Sequence, residues 1–526
     1  MNDSETTPSA NRQIARAAGT IMLAFALSNL IGLARQILIS RAFGTDRAID
    51  AFYAASTYPN LIFNLVAGGA LSSAFIPTFT TLLAKNERAS AWKLASSICN
   101  LVLFVLSLVS IISAFLAPQI IRYILAPNFP PDQQALASSL LRILLISPAI
   151  FGVSGLLMGI LNAHQRFLLP ALAPSMYWIG MIFGLIFLIP SMGVFGLAWG
   201  AVLGACLHLV VQIPDLLKLP TRVYLPTFGL SDQSVREVGR LMVPRLLGVS
   251  IVQLNFVVNV IIASGFSEGS LSAIYYAWQV MTVPQVVIAQ AIAIAALPTF
   301  SAQAARGDTQ EMRSSLAATL RGVLFLSLPA SLGLILLRQP LIALLFQHRS
   351  FDAHSTDLVA WALLWYAAGL VGHNFVEILS RAFYALHDTK TPVFVGAGAM
   401  TLNVVFSFAF SDLFARIGWQ PHGGLALANS LATAMEMTLL FILMRRRLKG
   451  LEGKDILRGF IQAASGTAVM SLILLYWSNI QSSVWIIGLG GVALGGIVYG
   501  VSLWMMKVKE LASLAQGIAR RIKPAH

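Results

Sequence analysis

Along the whole chain, long apolar runs alternate with short patches of charged and polar residues. Crossing the hydrocarbon core of a bilayer takes about 20 apolar residues at 1.5 Å of helical rise each. Fourteen runs reach that length, at approximately 14–40, 48–83, 92–117, 135–163, 168–190, 194–216, 238–264, 271–302, 314–337, 356–386, 391–412, 422–446, 456–478 and 483–506. They predict fourteen transmembrane helices, the longer ones tilted or extending past the bilayer. Pro59, Pro148 and Pro284 fall inside predicted spans. In a bundle the freed carbonyls can be met by neighbours, and such kinks can line a cavity.

The polar patch Phe383-Tyr384-Ala385-Leu386-His387-Asp388-Thr389-Lys390-Thr391-Pro392 has an echo in Leu161-Asn162-Ala163-His164-Gln165-Arg166-Phe167-Leu168-Leu169-Pro170, at one offset of 222 residues. Tyr53-Ala54, Pro59 and Pro77-Thr78-Phe79 in span two match Tyr276-Ala277, Pro284 and Pro298-Thr299-Phe300 in span eight, and Gly196-Leu197-Ala198 matches Gly424-Leu425-Ala426. Such self-similarity marks a duplicated architecture. Each copy holds six spans, an even number, so both enter the membrane in the same sense, related by an axis along its normal. Spans thirteen and fourteen have no counterpart. The expected fold is an all-α polytopic membrane protein with about 14 transmembrane helices: two six-helix lobes related by a pseudo-two-fold repeat, plus two extra C-terminal helices. The expected domains are 1–225 (spans one to six), 226–450 (spans seven to twelve) and 451–526 (the last two spans and a basic tail). At the second polar patch, Thr391 is expected to cap span eleven, with Pro392 in its first turn.

Composition narrows the class. The chain is 57% hydrophobic and 11% charged, with a mean hydropathy of +0.77, against roughly 25% charged in soluble domains. Its net charge of +14 lies in patches between apolar runs, which points to topology rather than nucleic acid. With the N-terminus inside, 27 of the 35 Lys and Arg fall on the cytoplasmic side, 6 on the other, and Arg35 and Arg142 within spans. That asymmetry predicts both termini inside. The first apolar run is about twice the length of a signal-peptide core and lacks a cleavage site, so it reads as a retained helix. Cys99 and Cys206 sit in apolar runs, with no metal-type spacing. A phosphate-cradling Gly-Lys-Ser/Thr loop is absent, as is any catalytic constellation. The expectation is a transporter, not an enzyme, with no cofactor and no metal.

Polar groups inside a membrane are costly and default to function. The set comprises Arg35 in span one, Arg142 in span four, His373, Asn374 and Glu377 in span ten, and Glu436 in span twelve. Asn29, Asn64, Asn255, Asn259, Gln253 and Gln279 add uncharged polarity. His373 and Glu377, four residues apart, share a helix face. For the amides, interhelical hydrogen bonding is the plainer role. Arg35 is the leading functional candidate, because a guanidinium facing lipid costs several kcal/mol unless it snorkels or finds a partner. A guanidinium also pairs well with phosphate oxygens.

Phe383-Tyr384-Ala385 with Asp388-Thr389-Lys390-Thr391-Pro392, and Leu161-Asn162-Ala163 with Arg166-Phe167, Pro170-Ala171 and Ala173-Pro174, resemble the MurJ (MviN) family of lipid II flippases, within the multidrug/oligosaccharidyl-lipid/polysaccharide exporter superfamily. Gly32-Leu33-Ala34-Arg35, Asp50-Ala51-Phe52, Pro59-Asn60, Leu345-Phe346-Gln347 with Phe351, and Gly424 to Ala428 add weaker support, and the match covers essentially the whole chain. The resemblance implies fourteen helices in two lobes around a central cavity, transport by alternating access, and a groove for the polyprenyl tail in the last two helices. It also exposes departures. Family members typically carry arginine where this chain has Asn29, arginine and an acidic residue at Asn64 and Gly68, and an acidic-arginine pair at Trp278-Gln279.

The resulting expectation is a flippase of the bacterial inner membrane moving undecaprenyl-diphosphate-linked disaccharide-peptide (lipid II) from the cytoplasmic to the outer leaflet. It would contact membrane lipids, bind no nucleic acid and work as a monomer. Arg35 would meet the diphosphate, Asp50 would gate or orient it, and Asn29, Asn64 and Gln279 would line the cavity. The alternatives are export of another polyprenyl-diphosphate-linked oligosaccharide and ion-coupled export of small amphiphiles through Glu377 and Glu436. A non-transporting scaffold would leave the costly intramembrane polar groups without a purpose.

Overall fold

The computed structural model describes residues 10–65, 71–220 and 222–508. Gly68, the first nine residues and the basic C-terminal tail lie outside the described residues. Among the described residues all regular structure is helical, as the fully apolar runs require, since a helix satisfies its own backbone in lipid. The chain divides into two compact units, Met1–Glu268 and Gly269–His526.

The first unit contains α1 (Ala10–Phe43), α2 (Arg47–Leu65), α3 (Leu71–Ala84), α4 (Arg88–Phe115), α5 (Ala117–Ile120), α6 (Pro131–Leu144), α7 (Ser147–Ala163), α8 (Leu168–Phe183), α9 (Ile189–Met192), α10 (Val194–Val210), α11 (Ile213–Leu217) and α12 (Gln233–Ala263). The second contains α13 (Ser270–Gln285), α14 (Ala291–Ala305), α15 (Thr309–Leu336), α16 (Arg338–Phe346), α17 (Ala353–Ala368), α18 (Leu370–Ala385), α19 (Lys390–Arg416), α20 (His422–Arg447), α21 (Gly453–Ile480) and α22 (Gly491–Met505).

Among the described residues ten helical stretches are long and apolar enough to cross a membrane, and an eleventh arises if α17 and α18, bent by 45° at Gly369, form one span. The remaining three predicted spans fall on α1, on α2 with α3, and on α12, each only partly described. Large apolar side chains face outward, among them Phe115 at 79% exposure and Leu472 at 69%. In water such a surface would be prohibitive; in lipid it is the expected solvent contact.

Inside each unit, small residues set the closest helix approaches, the usual device where lipid removes the hydrophobic drive for packing. A methyl group added at Gly180 of α8 would overlap the Gly204 backbone of α10, and one at Gly184 would come within 2.5 Å of the Gly196 carbonyl. In the second unit a methyl at Gly424 of α20 would lie 2.6 Å from the Phe410 backbone of α19. The core there joins Leu320, Val323 and Leu324 of α15 to Ile378, Leu379 and Phe383 of α18 and to Leu440 and Met444 of α20.

The duplication is written in backbone hydrogen bonds. The α7–α8 turn is closed by Gln165 N–H to Asn162 O at 3.0 Å and Arg166 N–H to Leu161 O at 2.9 Å; the α18–α19 turn by His387 to Tyr384 and Asp388 to Phe383, both at 3.0 Å. The α3–α4 and α14–α15 turns match likewise, through Glu87 to Leu82 at 2.9 Å and Asp308 to Gln303 at 3.1 Å. After α4 and α15 the chain breaks at Leu116 and Leu337, with φ and ψ of −88° and 7°, and −96° and 12°.

Two expectations change. Thr391 does not cap α19; it lies inside the first turn and donates its N–H and hydroxyl to Asp388, at 3.0 and 2.8 Å. The two carboxylate oxygens of Asp388 take one donor each. Pro148 is not an interior kink either: it stands in the first turn of α7, just after a break at Leu145–Ile146, where its missing N–H removes no helix bond. Pro284 is followed by a π-helical turn at Val286–Gln290, one of the recognised causes of a bend.

Candidate functional site

Arg35 lies one helical turn after Gly32 on α1, and both face Trp178 of α8. The guanidinium carbon sits 4.2 Å from the indole centroid, a cation–π contact. A methyl on Gly32 would already touch the indole Nε1 at 3.5 Å. Arg35 Nη2 donates to Gln36 Oε1 at 2.7 Å, and Gln36 Nε2 donates to the Tyr53 hydroxyl of α2 at 2.7 Å. Met181 Sδ accepts a long contact from Nη1 at 3.7 Å. Three helices therefore fix one half-buried cation, and its partners satisfy the desolvation argument that singled Arg35 out.

The other first-unit candidates are spread along the same helices. Asn29 is exposed on α1. Asp50 is buried, 3% exposed, in the first turn of α2, where a carboxylate suits the helix dipole. Asn64 donates to Gln253 Oε1 of α12 at 3.3 Å, the interhelical amide bond expected of this class. At the start of α2, Asp46 accepts from Ile49 N–H at 2.9 Å and Arg47 pairs with Glu268 at 2.7 Å. Arg142 of α6 stands apart from Arg35, exposed, with its Nε donating to the Ala114 carbonyl at 3.2 Å.

In the second unit the polar residues of span ten each have a separate partner. His373 Nε2 meets Asn429 Oδ1 of α20 at 3.0 Å, and its ring packs edge-on to Trp278 at 5.5 Å. Asn374, fully buried, donates to Ser327 of α15 at 2.8 Å. Glu377 accepts from Arg381 one turn along α18 at 2.7 Å. Gln279 is half-buried beside Trp278 on α13. Glu436 of α20 is half-buried against the open face of Gly396 on α19, its Oε1 3.3 Å from where a methyl there would stand.

A groove that intramembrane polarity could not reveal lies between α15, α18, α20 and α21. It encloses about 720 Å³. Its walls are apolar, including Phe375, Phe441, Leu457 and Phe460, and Arg445 and Lys454 stand at the end where α20 closes and α21 begins. Along α20 and α19 that end lies on the same side as the Phe383–Pro392 turn. An apolar trough with two cations at one mouth is shaped for an amphiphile with an anionic head. Among the described residues no three His, Cys, Asp or Glu side chains gather as a metal set, and the two thiols are unbridged.

The family model for "Lipid II flippase MurJ" matches residues 39–491. A Burkholderia cenocepacia protein of that description is 33% identical over 86% of this chain and 88% of its own length. The chain belongs to the MurJ lipid II flippase family. A Buchnera aphidicola protein described as a probable lipid II flippase MurJ is 31% identical over 89% of this chain and 91% of its own. In fold, the chain is similar to a MurJ structure in an inward closed conformation, with a TM-score of 0.81, 24% identity, and coverage of 94% of this chain and 99% of that one. It is also similar to an inward-facing MATE transporter of the MOP superfamily, with a TM-score of 0.68, 17% identity, and coverage of 81% and 96%. The protein is thus a multi-pass membrane transporter of a bacterial MurJ family. The family match starts four residues after Arg35, so Arg35 and Asn29 lie in a stretch that the family model does not reach.

Proposed function

We propose that this protein flips lipid II, a polyprenyl-diphosphate-linked peptidoglycan precursor, from the cytoplasmic to the outer leaflet by alternating access. Family membership supplies the substrate class, and the second unit's groove carries the reading to this chain's own residues. Its apolar walls suit a polyprenyl tail, and Arg445 and Lys454 at its mouth suit the phosphates. In the first unit Arg35, held by Trp178 and Gln36, is the diphosphate contact, with Asn29 and Asn64 as polar lining and the buried Asp50 gating or orienting the diphosphate; in the second unit Gln279 supplies polar lining. Two six-span lobes, 1–225 and 226–450, would carry the motion, with 451–526 holding the tail. The protein would sit in the inner membrane as a monomer with both termini in the cytoplasm, as the distribution of Lys and Arg favours.

The test is transfer of a fluorescent lipid II analogue between leaflets of vesicles containing the purified protein. Protein-dependent transfer is expected. Transfer no faster than in protein-free vesicles, from a protein that is folded and correctly inserted, overturns the reading.

A further inference from the structure

A second cavity, of about 670 Å³, opens in the first unit at the end of α6 and α7 opposite the Leu161–Pro170 turn. Its walls come from the π-helical turn Ile121–Leu125, the proline-rich loop that follows, and α6. Two guanidinium groups from separate elements line it, Arg122 and Arg142. Neither has a carboxylate partner among the described residues. Arg142 uses Nε to hold the Ala114 carbonyl, which fixes the side chain and leaves its two terminal nitrogens without an acceptor among the described residues. The other polar lining is already engaged: Ser138 donates to Gln134 O at 2.7 Å, Ser139 to Ala135 O at 3.0 Å, and the Gln134 amide to the Ala126 and Pro127 carbonyls. The donors left for a ligand are those of the arginines, and they select an anion.

Depth selects which anion. From Arg142 to Ala163, where the chain turns, is 21 residues, or about 31 Å of helix, one hydrocarbon thickness. Arg142 therefore stands at the level of the headgroup phosphates in the leaflet away from that turn. A guanidinium pair is well matched to phosphate oxygens there. We propose that this cavity binds the phosphate of an anionic membrane lipid through Arg122 and Arg142. The site is independent of the cargo reading and uses none of its residues.

The experiment places the full-length protein in nanodiscs of mixed phosphatidylglycerol and phosphatidylcholine, and counts the lipids retained by native mass spectrometry. The wild type should retain phosphatidylglycerol preferentially. Arg122→Gln with Arg142→Gln should reduce that retention at least threefold, and Arg122→Lys with Arg142→Lys should keep part of it. Should the charge variants fail to fold, Ser138→Trp, which fills the cavity and keeps both arginines, should give the same loss. Inorganic diphosphate is titrated against the protein in pure phosphatidylcholine. Arginine-dependent diphosphate binding without lipid preference would overturn the lipid source. Retention of phosphatidylglycerol by the double Gln variant at the wild-type level would overturn the site.

Discussion

Gln165 and His387, 222 residues apart, hold the same left-handed backbone, with φ of 59° and 57°. Each ends a helix in the position where glycine is usual, and each closes its turn with the same pair of backbone bonds. A side chain there costs roughly 1 kcal/mol relative to glycine. Gln165→Gly and His387→Gly are each expected to raise the thermal midpoint slightly, and the valine variants to lower it by more. Thermal unfolding in detergent measures both.

Asp388 should make the α18–α19 turn acid-sensitive. Its bonds from the Thr391 backbone and hydroxyl hold the carboxyl below its usual range. A lowered carboxyl value gives stability that is complete above about pH 4 and is lost as pH falls through the lowered value. Asp388→Ala should cost about 1 kcal/mol at neutral pH and remove that acid-dependent part. Unfolding midpoints from pH 3 to 7 would reveal it.

The Arg35–Trp178 stack should matter more than charge alone. Lysine keeps the charge but loses the planar face and the fork that reaches Gln36. Arg35→Lys is expected to lower lipid II transfer in vesicles several-fold. Trp178→Phe should be milder than Trp178→Leu, since a ring face retains part of the cation–π energy, about 1 kcal/mol. Equal rates for the Phe and Leu variants would show that the stack plays no part in transfer.

Filling the groove should separate tail from head. Leu457→Trp is expected to slow transfer of long-chain lipid II while leaving a short-chain analogue less affected. Arg445→Gln with Lys454→Gln should weaken both alike. Transfer rates for the two cargo lengths, measured side by side, give the comparison.

Gly180→Ala should fail where Gly322→Ala succeeds. A methyl at Gly180 meets the Gly204 backbone, which cannot step aside as a side chain can; a methyl at Gly322 on α15 meets nothing within 4 Å. The first should sharply reduce the yield of folded protein. The second should be neutral or stabilising by up to about 1 kcal/mol. Fluorescence-detected size exclusion of both variants would show the contrast.

The spans, their order and the duplication were legible because each is a local property: an apolar run, or a fixed offset between similar peptides. The partners were not. Trp178 is 143 residues from Arg35 in the chain, and no periodicity encodes that a Gly32 gap would admit its indole. Intramembrane polarity singled out Asn374 as readily as Arg35, although Asn374 bonds Ser327 in a buried core contact. It was silent on the groove, whose walls are ordinary apolar side chains. At the second turn, Asp388 and Thr391 are both good capping residues, and only the backbone geometry decides which one receives the bonds.

Where α8 and the turn after it meet α10, a methyl added at Gly180, Gly184, Gly200 or Gly204 would come within 3.0 Å of the facing backbone. Such a seam has no bearing surface: either helix must lift away from the other before it can slide. The pair is expected to move as one part, carrying Trp178 with it. Any rearrangement that frees Arg35 is then a movement of α1 across a stationary indole, so the measure of that step is the travel of α1 and not of its partner.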